Sequence, residues 1–106
     1  MTLEELYHKM IDKASRTKLD SNIKASILLN ITDEQQKQWL VDFNEGVITV
    51  NLYDDSEPDV TVTTNSATLL KVAQRQMSPM MAFITGKIKV KGDANLVGQL
   101  KNVWPD

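Results

Sequence analysis

The side chains that usually carry reactions are scarce here: one histidine, no cysteine, and no serine in a Gly-x-Ser-x-Gly turn among 106 residues. Without cysteine there are no disulfides, no thiolate metal ligands and no thiol nucleophile. His8 falls between Tyr7 and Lys9, off the apolar positions of its helix, and reads as a surface residue. A serine nucleophile needs a base and an oxyanion site beside it, and no motif supplies them. Glu4-Glu5 and Asp54-Asp55 are neighbouring carboxylates that water would solvate alike, whereas an acid/base pair needs environments that drive its two pKa values apart. Asp54-Asp-Ser-Glu-Pro-Asp59 offers carboxylates as a calcium loop does. Yet Asp59 and Asn65 stand where such a loop requires its glycine and its closing glutamate. Gly86-Lys87 opens no phosphate loop, since neither Ser nor Thr follows. The chemistry left is apolar contact. Met77, Met80 and Met81 place three flexible, polarizable thioethers within five residues, next to Phe83 and Ile84. Such a surface re-packs around apolar partners of different shape. The chain reads as a binding protein, with no catalytic residue, metal or cofactor.

Those methionines need a frame to hold them. Thr2 followed by Glu5 is a capping box, and Leu3, Leu6, Tyr7, Met10, Ile11 and Ala14 recur at the helical period, predicting a helix over 2–17. Ile23, Ala25, Ile27, Leu29 and Ile31 then alternate with Lys24, Ser26 and Asn30, the period of a half-buried strand, with Leu28 as the exception. Trp39, Val41 and Phe43 alternate with Leu40 and Asp42, and Asn44-Glu45-Gly46 turns the chain into Ile48, Val50 and Leu52. Together these form a β-meander. A short strand carries Val60 and Val62. Asn65 or Ser66 caps a helix with Ala67, Leu69, Leu70, Val72 and Ala73.

Ser78 can accept a hydrogen bond from the first free amides of a short helix, Pro79 suits its first position, and Gly86 stops it with positive φ. Met80, Met81, Phe83 and Ile84 cover most of that helix's circumference, so it is expected to be wrapped on several sides. Lys87, Lys89 and Lys91 share the outward face of the next strand, which reads either as a charge-protected sheet edge or as a contact with anionic membrane headgroups. Asp93 caps a last helix whose Leu96, Val97, Leu100, Val103 and Trp104 form one stripe. One apolar face per strand and one apolar stripe per long helix predict an α+β domain, a single sheet covered on one side by helices.

Length and composition set the class. A chain of 106 residues reads as a single domain over 1–106, and 42% hydrophobic content with a net charge of −2 suits an ordinary globular protein. Nucleic acid is not an expected partner. The acidic start, Met1-Thr-Leu-Glu-Glu-Leu6, is no targeting segment, and no apolar run approaches the ~18 residues of a membrane span.

Ser78-Pro79-Met80-Met81-Ala82-Phe83, followed by Thr85-Gly86-Lys87-Ile88-Lys89-Val90 and Gly92-Asp93, closely resembles the signature of the sterol carrier protein 2 family. Leu69-Leu70 before it and Leu96 and Leu100 after it extend the resemblance, and Trp39-x-Val41-Asp42 is compatible with it. The resemblance implies a five-stranded sheet with helices on one face and an apolar tunnel between the layers. It also implies a non-catalytic carrier of sterols, fatty acids or fatty acyl-CoA, a kind of domain sometimes fused to lipid-metabolising enzymes. Two departures bear on pocket shape: Arg75-Gln76 replaces a glycine common between the middle helices, and Gly92-Asp-Ala-Asn-Leu96 lacks a Met-Gly common after the aspartate. Eukaryotic members often end in a peroxisomal address, which Val103-Trp104-Pro105-Asp106 is not, so a cytoplasmic location is expected.

Facing and periodicity nominate the lipid contacts. They are Trp39, Val41, Phe43, Ile48 and Val50 from the sheet, Leu69, Met77, Met80, Met81, Phe83 and Ile84 from the middle helices, and Val97, Leu100 and Trp104 from the last. The expected partner is an apolar lipid: fatty acid, acyl-CoA or sterol. Two alternatives stand beside the carrier reading. One is an accessory protein that presents intermediates to enzymes of lipid or quinone biosynthesis, and the other is a protein-interaction module of the same fold with its pocket closed.

Overall fold

Thr2 and Glu5 set the first helix. In the computed structural model, which describes residues 1–20, 22–33 and 37–105, the Thr2 hydroxyl accepts from the Glu5 N–H at 3.1 Å. The Glu5 carboxylate accepts from the Thr2 N–H in return, at 3.4 Å. Asp106 lies outside the described residues. Helix α1 (Leu3–Arg16) turns Leu3, Leu6, Met10 and Ala14 inward. Strands β1 (Lys24–Ile31), β2 (Gln38–Asn44) and β3 (Val47–Leu52) follow as the meander. Strand β4 (Val60–Thr64) then returns beside β1 and runs parallel to it, with Ile27 opposite Val60 and Leu29 opposite Val62. After α2 (Ser66–Ala73) and α3 (Pro79–Ile84), strand β5 (Ile88–Gly92) pairs antiparallel with β4 and forms an edge. The sheet is five-stranded and mixed, in the order β3-β2-β1-β4-β5.

The connection from β3 to β4 must pass β2 and β1. It is anchored on β1 at Ser26, whose N–H donates to the Asp59 carboxylate at 2.8 Å. Leu28 and Leu40, side by side in register on the face away from the helices, are nonetheless buried. That pairing explains why Leu28 breaks the alternation. Gly92 ends β5 at φ +108, where an added Cβ would stand 2.5 Å from the Asp59 carbonyl oxygen, so the junction of β5 with that connection admits only glycine.

The helices divide one face of the sheet between them. α1 lies across β3, and its apolar residues join Trp39, Val41, Phe43, Ile48 and Val50 in one closed core. Tyr7 packs on Trp39 with ring centroids 5.1 Å apart. Over β1 and β4 the cover is a 3₁₀ helix (Ala94–Asn102) rather than the expected α-helix, capped by the Asp93 carboxylate, which accepts from the Asn95 N–H at 3.0 Å. With three residues per turn, every third side chain is eclipsed. Val97, Leu100 and Val103 therefore form one row toward the core, and Gly98, Lys101 and Trp104 form the next.

Candidate functional site: an apolar groove at the β5 edge

The two halves of the helical layer are filled unequally. α1 presents a long apolar stripe and seals the β2–β3 half, while α2, α3 and the 3₁₀ helix are short and leave space at the β5 end. Between α3, β5 and the 3₁₀ helix runs an open groove of about 500 Å³. Pro79, Met80 and Phe83 form one wall, Ile88 and Val90 the floor, and Ala94, Val97, Gly98 and Trp104 the other wall. Gly98 has open space where a Cβ would stand. Pro79, Ile88, Val97 and Trp104 also border a smaller recess of about 40 Å³ that reaches inward to Leu29, Val62, Leu69, Val72 and Leu100. The groove thus leads toward the interface of sheet and helices.

The polar groups on the groove are few. Among the described residues, Lys101 is the one charged side chain lining it, and Ser78 is the one hydroxyl. Ser78 makes no side-chain cap hydrogen bond to α3, contrary to the expectation from sequence. Thr64, in the inner recess, spends its hydroxyl on the Lys87 carbonyl at 2.9 Å. Such a site can hold an apolar chain by contact, with a single cation near its opening.

Trp104 owes its place to two donors from other elements. Lys13 of α1 donates to the Trp104 carbonyl at 2.7 Å, and the Arg75 guanidinium donates to the Pro105 carbonyl at 3.0 Å. Arg75 has φ +60, the left-handed conformation that glycine enters without steric cost. A residue in a glycine-like conformation thus carries the side chain that fastens the groove wall. At the other end of α2, Asn65 caps through the Thr68 N–H at 2.8 Å. Asp33 accepts from the Ser66 N–H and hydroxyl, both at 2.8 Å. These bonds, the backbone one foremost, hold the Asp33 carboxyl below its ordinary pKa.

The nominated lipid contacts separate into three groups. Met80, Phe83, Val97 and Trp104 line the groove, and Leu69 and Leu100 line the inner recess. Trp39, Val41, Phe43, Ile48 and Val50 are instead sealed under α1 and border neither space. Facing alone could not separate them, because inward residues of one sheet serve both the sealed and the open half. Met77 is half-buried off the groove, while Met81 and Ile84 point into solvent. The expectation that α3 is wrapped on several sides fails, since only Ala82 of that helix is buried. Ile88, Val90, Ala94, Gly98 and Lys101 were not among the nominated residues. Their signal was the period of three after Asp93 together with the edge position of β5.

A model of the SCP-2 sterol transfer family matches residues 3–104. The chain belongs to that family. Among curated relatives, sterol carrier protein 2 of Gallus gallus is 30% identical over 65% of this chain, which spans 13% of that protein. Sterol carrier protein 2 of Arabidopsis thaliana is 34% identical over 55% of this chain, which spans 47% of it. The family fold carries over in three dimensions. The solution structure of palmitated SCP2L2 from Aedes aegypti superposes with a TM-score of 0.75 at 25% identity, covering 97% of this chain and 94% of that one. Among the described residues, no helix of this family member is long and apolar enough to cross a membrane.

Proposed function

We propose that this family member is a non-catalytic carrier that holds the apolar part of a fatty acid, fatty acyl-CoA or sterol in the groove between α3, β5 and the 3₁₀ helix. The observation that carries this reading is the groove itself. At about 500 Å³ it falls within the size of small-molecule sites, its walls are mostly apolar, and among the described residues Lys101 is the one charge on it. Lys101 is placed to meet a carboxylate or phosphate while the chain lies along Met80, Phe83, Ile88 and Trp104. The palmitated state of the Aedes aegypti protein supports a single acyl chain as one such ligand. An open groove of this size also favours the carrier over a module with a closed pocket. The domain would act as one unit over 1–106, in the cytoplasm.

The test is ligand content and its effect on stability. Mass spectrometry of organic extracts from protein purified under native conditions should find a long-chain lipid. Stripped protein should melt higher once palmitate, palmitoyl-CoA or cholesterol is added. At a hundredfold excess over the dissociation constant, mass action contributes about 2.7 kcal/mol, which for a domain of this size raises Tm by ~10 °C or more. Absence of lipid in the extract, with no melting response to any of the three, would overturn the proposal.

A further inference from the structure

The chain has no cysteine, so its five methionines hold all of its sulfur. The fold grades them by access. Met10 is fully buried in the core under α1, and Met77 is half-buried off the groove. Met1 is 40% exposed ahead of α1, while Met80 and Met81 are 71% and 55% exposed on α3. Access matters because a thioether is oxidised where an oxidant can reach it. Of the five, Met80 alone lines the groove, on the wall that it shares with Pro79 and Phe83. The most accessible sulfur of the molecule therefore stands where an apolar ligand would lie.

That placement joins two properties that the other methionines hold apart. Met10 packs in the core but is closed to solvent, and Met81 is open to solvent but borders neither the groove nor the recess. At Met80 a peroxide ROOH would hand its terminal oxygen to the thioether sulfur. The O–O bond breaks, an S–O bond forms, and the proton of the transferred oxygen passes to the departing one. Sulfur is oxidised to the sulfoxide, and the peroxide is reduced to ROH, which is water when R is hydrogen. The thioether, flexible and apolar, suits chains of different shape. Its sulfoxide is polar, and an acyl chain laid against that oxygen offers it no hydrogen bond in place of those water makes.

We propose that Met80 is an oxidation site through which peroxide weakens the groove's hold on its lipid. The proposal rests on the carrier reading and adds a condition under which the carrier unloads. A bound chain covers the Met80 wall, so loaded protein oxidises at Met80 more slowly than empty protein, while Met81 oxidises alike in both. The fold survives the change, because Met80 lies outside the buried core and α3 buries only Ala82. Reduction by a methionine sulfoxide reductase, with a dithiol as electron donor, returns the thioether, water and a disulfide, so the loss of affinity is reversible.

The experiment exposes the full chain, stripped of lipid or loaded with palmitate, to hydrogen peroxide. Peptide mass spectrometry with fragmentation follows each methionine, and displacement of a fluorescent fatty acid gives the palmitate Kd before and after. Met80 and Met81 should oxidise early and Met10 last, with palmitate slowing Met80 and not Met81. Oxidation should raise Kd about fivefold, and the reductase should restore it. In Met80→Leu, which keeps apolar bulk without the sulfur, the ratio of Kd after peroxide to Kd before should stay near one. In Met81→Leu it should match the parent's. Unchanged affinity once Met80 is fully oxidised, a rise in Met80→Leu equal to the parent's, or the same Met80 oxidation rate with and without palmitate would overturn the proposal. Untreated protein that binds none of palmitate, palmitoyl-CoA and cholesterol would overturn the carrier reading and this proposal with it, whereas binding that peroxide leaves intact would overturn this proposal alone.

Discussion

Phe43 and Phe83 are the same residue type on the two sides of the division between sealed core and open groove, so truncating each separates the roles. Phe43 is 1% exposed in the core under α1, and Phe83 is 53% exposed on the groove wall. Phe43→Ala should cost ~3–5 kcal/mol, the usual range for deleting a buried ring, against a total of roughly 5–15 kcal/mol for a domain. Phe83→Ala removes a ring only half withdrawn from water. With ~1.5–3 kcal/mol for full burial of such a side chain, the folded protein loses about 1 kcal/mol, a Tm shift of ~5 °C. The exposed half is what a bound chain would cover, so ligand affinity should fall by another ~1 kcal/mol, about fivefold in Kd. Displacement of a fluorescent fatty acid gives Kd, and thermal unfolding gives Tm, on the same samples. Below its melting temperature Phe43→Ala should bind as the parent does. If Phe83→Ala keeps full affinity, or if folded Phe43→Ala loses more affinity than Phe83→Ala, the division of the layer drawn here is wrong.

Other consequences are narrower. Lys101→Met should weaken palmitate up to about fivefold, the measure of an exposed ion pair, and leave the neutral alcohol of the same length unchanged; equal losses for acid and alcohol in a titration would show that Lys101 only packs. Gly92→Ala forces its Cβ to 2.5 Å from the Asp59 carbonyl, whereas Gly86→Ala at φ +79 meets nothing within 4 Å. Unfolding free energies from urea titrations should therefore fall by ~1–2 kcal/mol for Gly86→Ala and clearly more for Gly92→Ala. Because the hydrogen bonds from Ser66 hold the folded pKa of Asp33 below its ordinary value, its contribution to stability is complete above the ordinary value and is lost as pH falls through the lower, folded pKa. The Tm of Asp33→Asn should thus lie below the parent's at neutral pH and converge with it in acid, and a gap that stays constant down to the acid limit would show that the carboxylate does not act through its charge.

The sequence carried the elements further than it carried the site. The capping box at Thr2, the alternation through β1 to β3 and the stop at Gly86 each act within a few residues, so their patterns survive as read. Leu28 broke the alternation because it pairs with Leu40 across strands, a contact that depends on register. The last helix was read with the α period although Val97, Leu100 and Val103 recur at three, and that winding decides that Lys101 and Trp104 share the groove wall. The nominated sheet residues were inward-facing, as expected, but which inward residues are sealed depends on how far α1 extends across the strands. That is set by packing between distant segments, not by any local pattern. Likewise the composition of α3 indicated an apolar environment, and burial was the reading that composition favours. The structure instead leaves all of that helix but Ala82 exposed, because the elements around it are short.

The most direct test of the groove is a nuclear magnetic resonance titration of the methyl groups with palmitate. Saturable shifts are predicted for Met80, Ile88, Val90 and Val97, while Val41, Ile48 and Val50 under α1 stay in place. Shifts concentrated on Val41, Ile48 and Val50, or no saturable change anywhere with palmitate, palmitoyl-CoA or cholesterol, would contradict it.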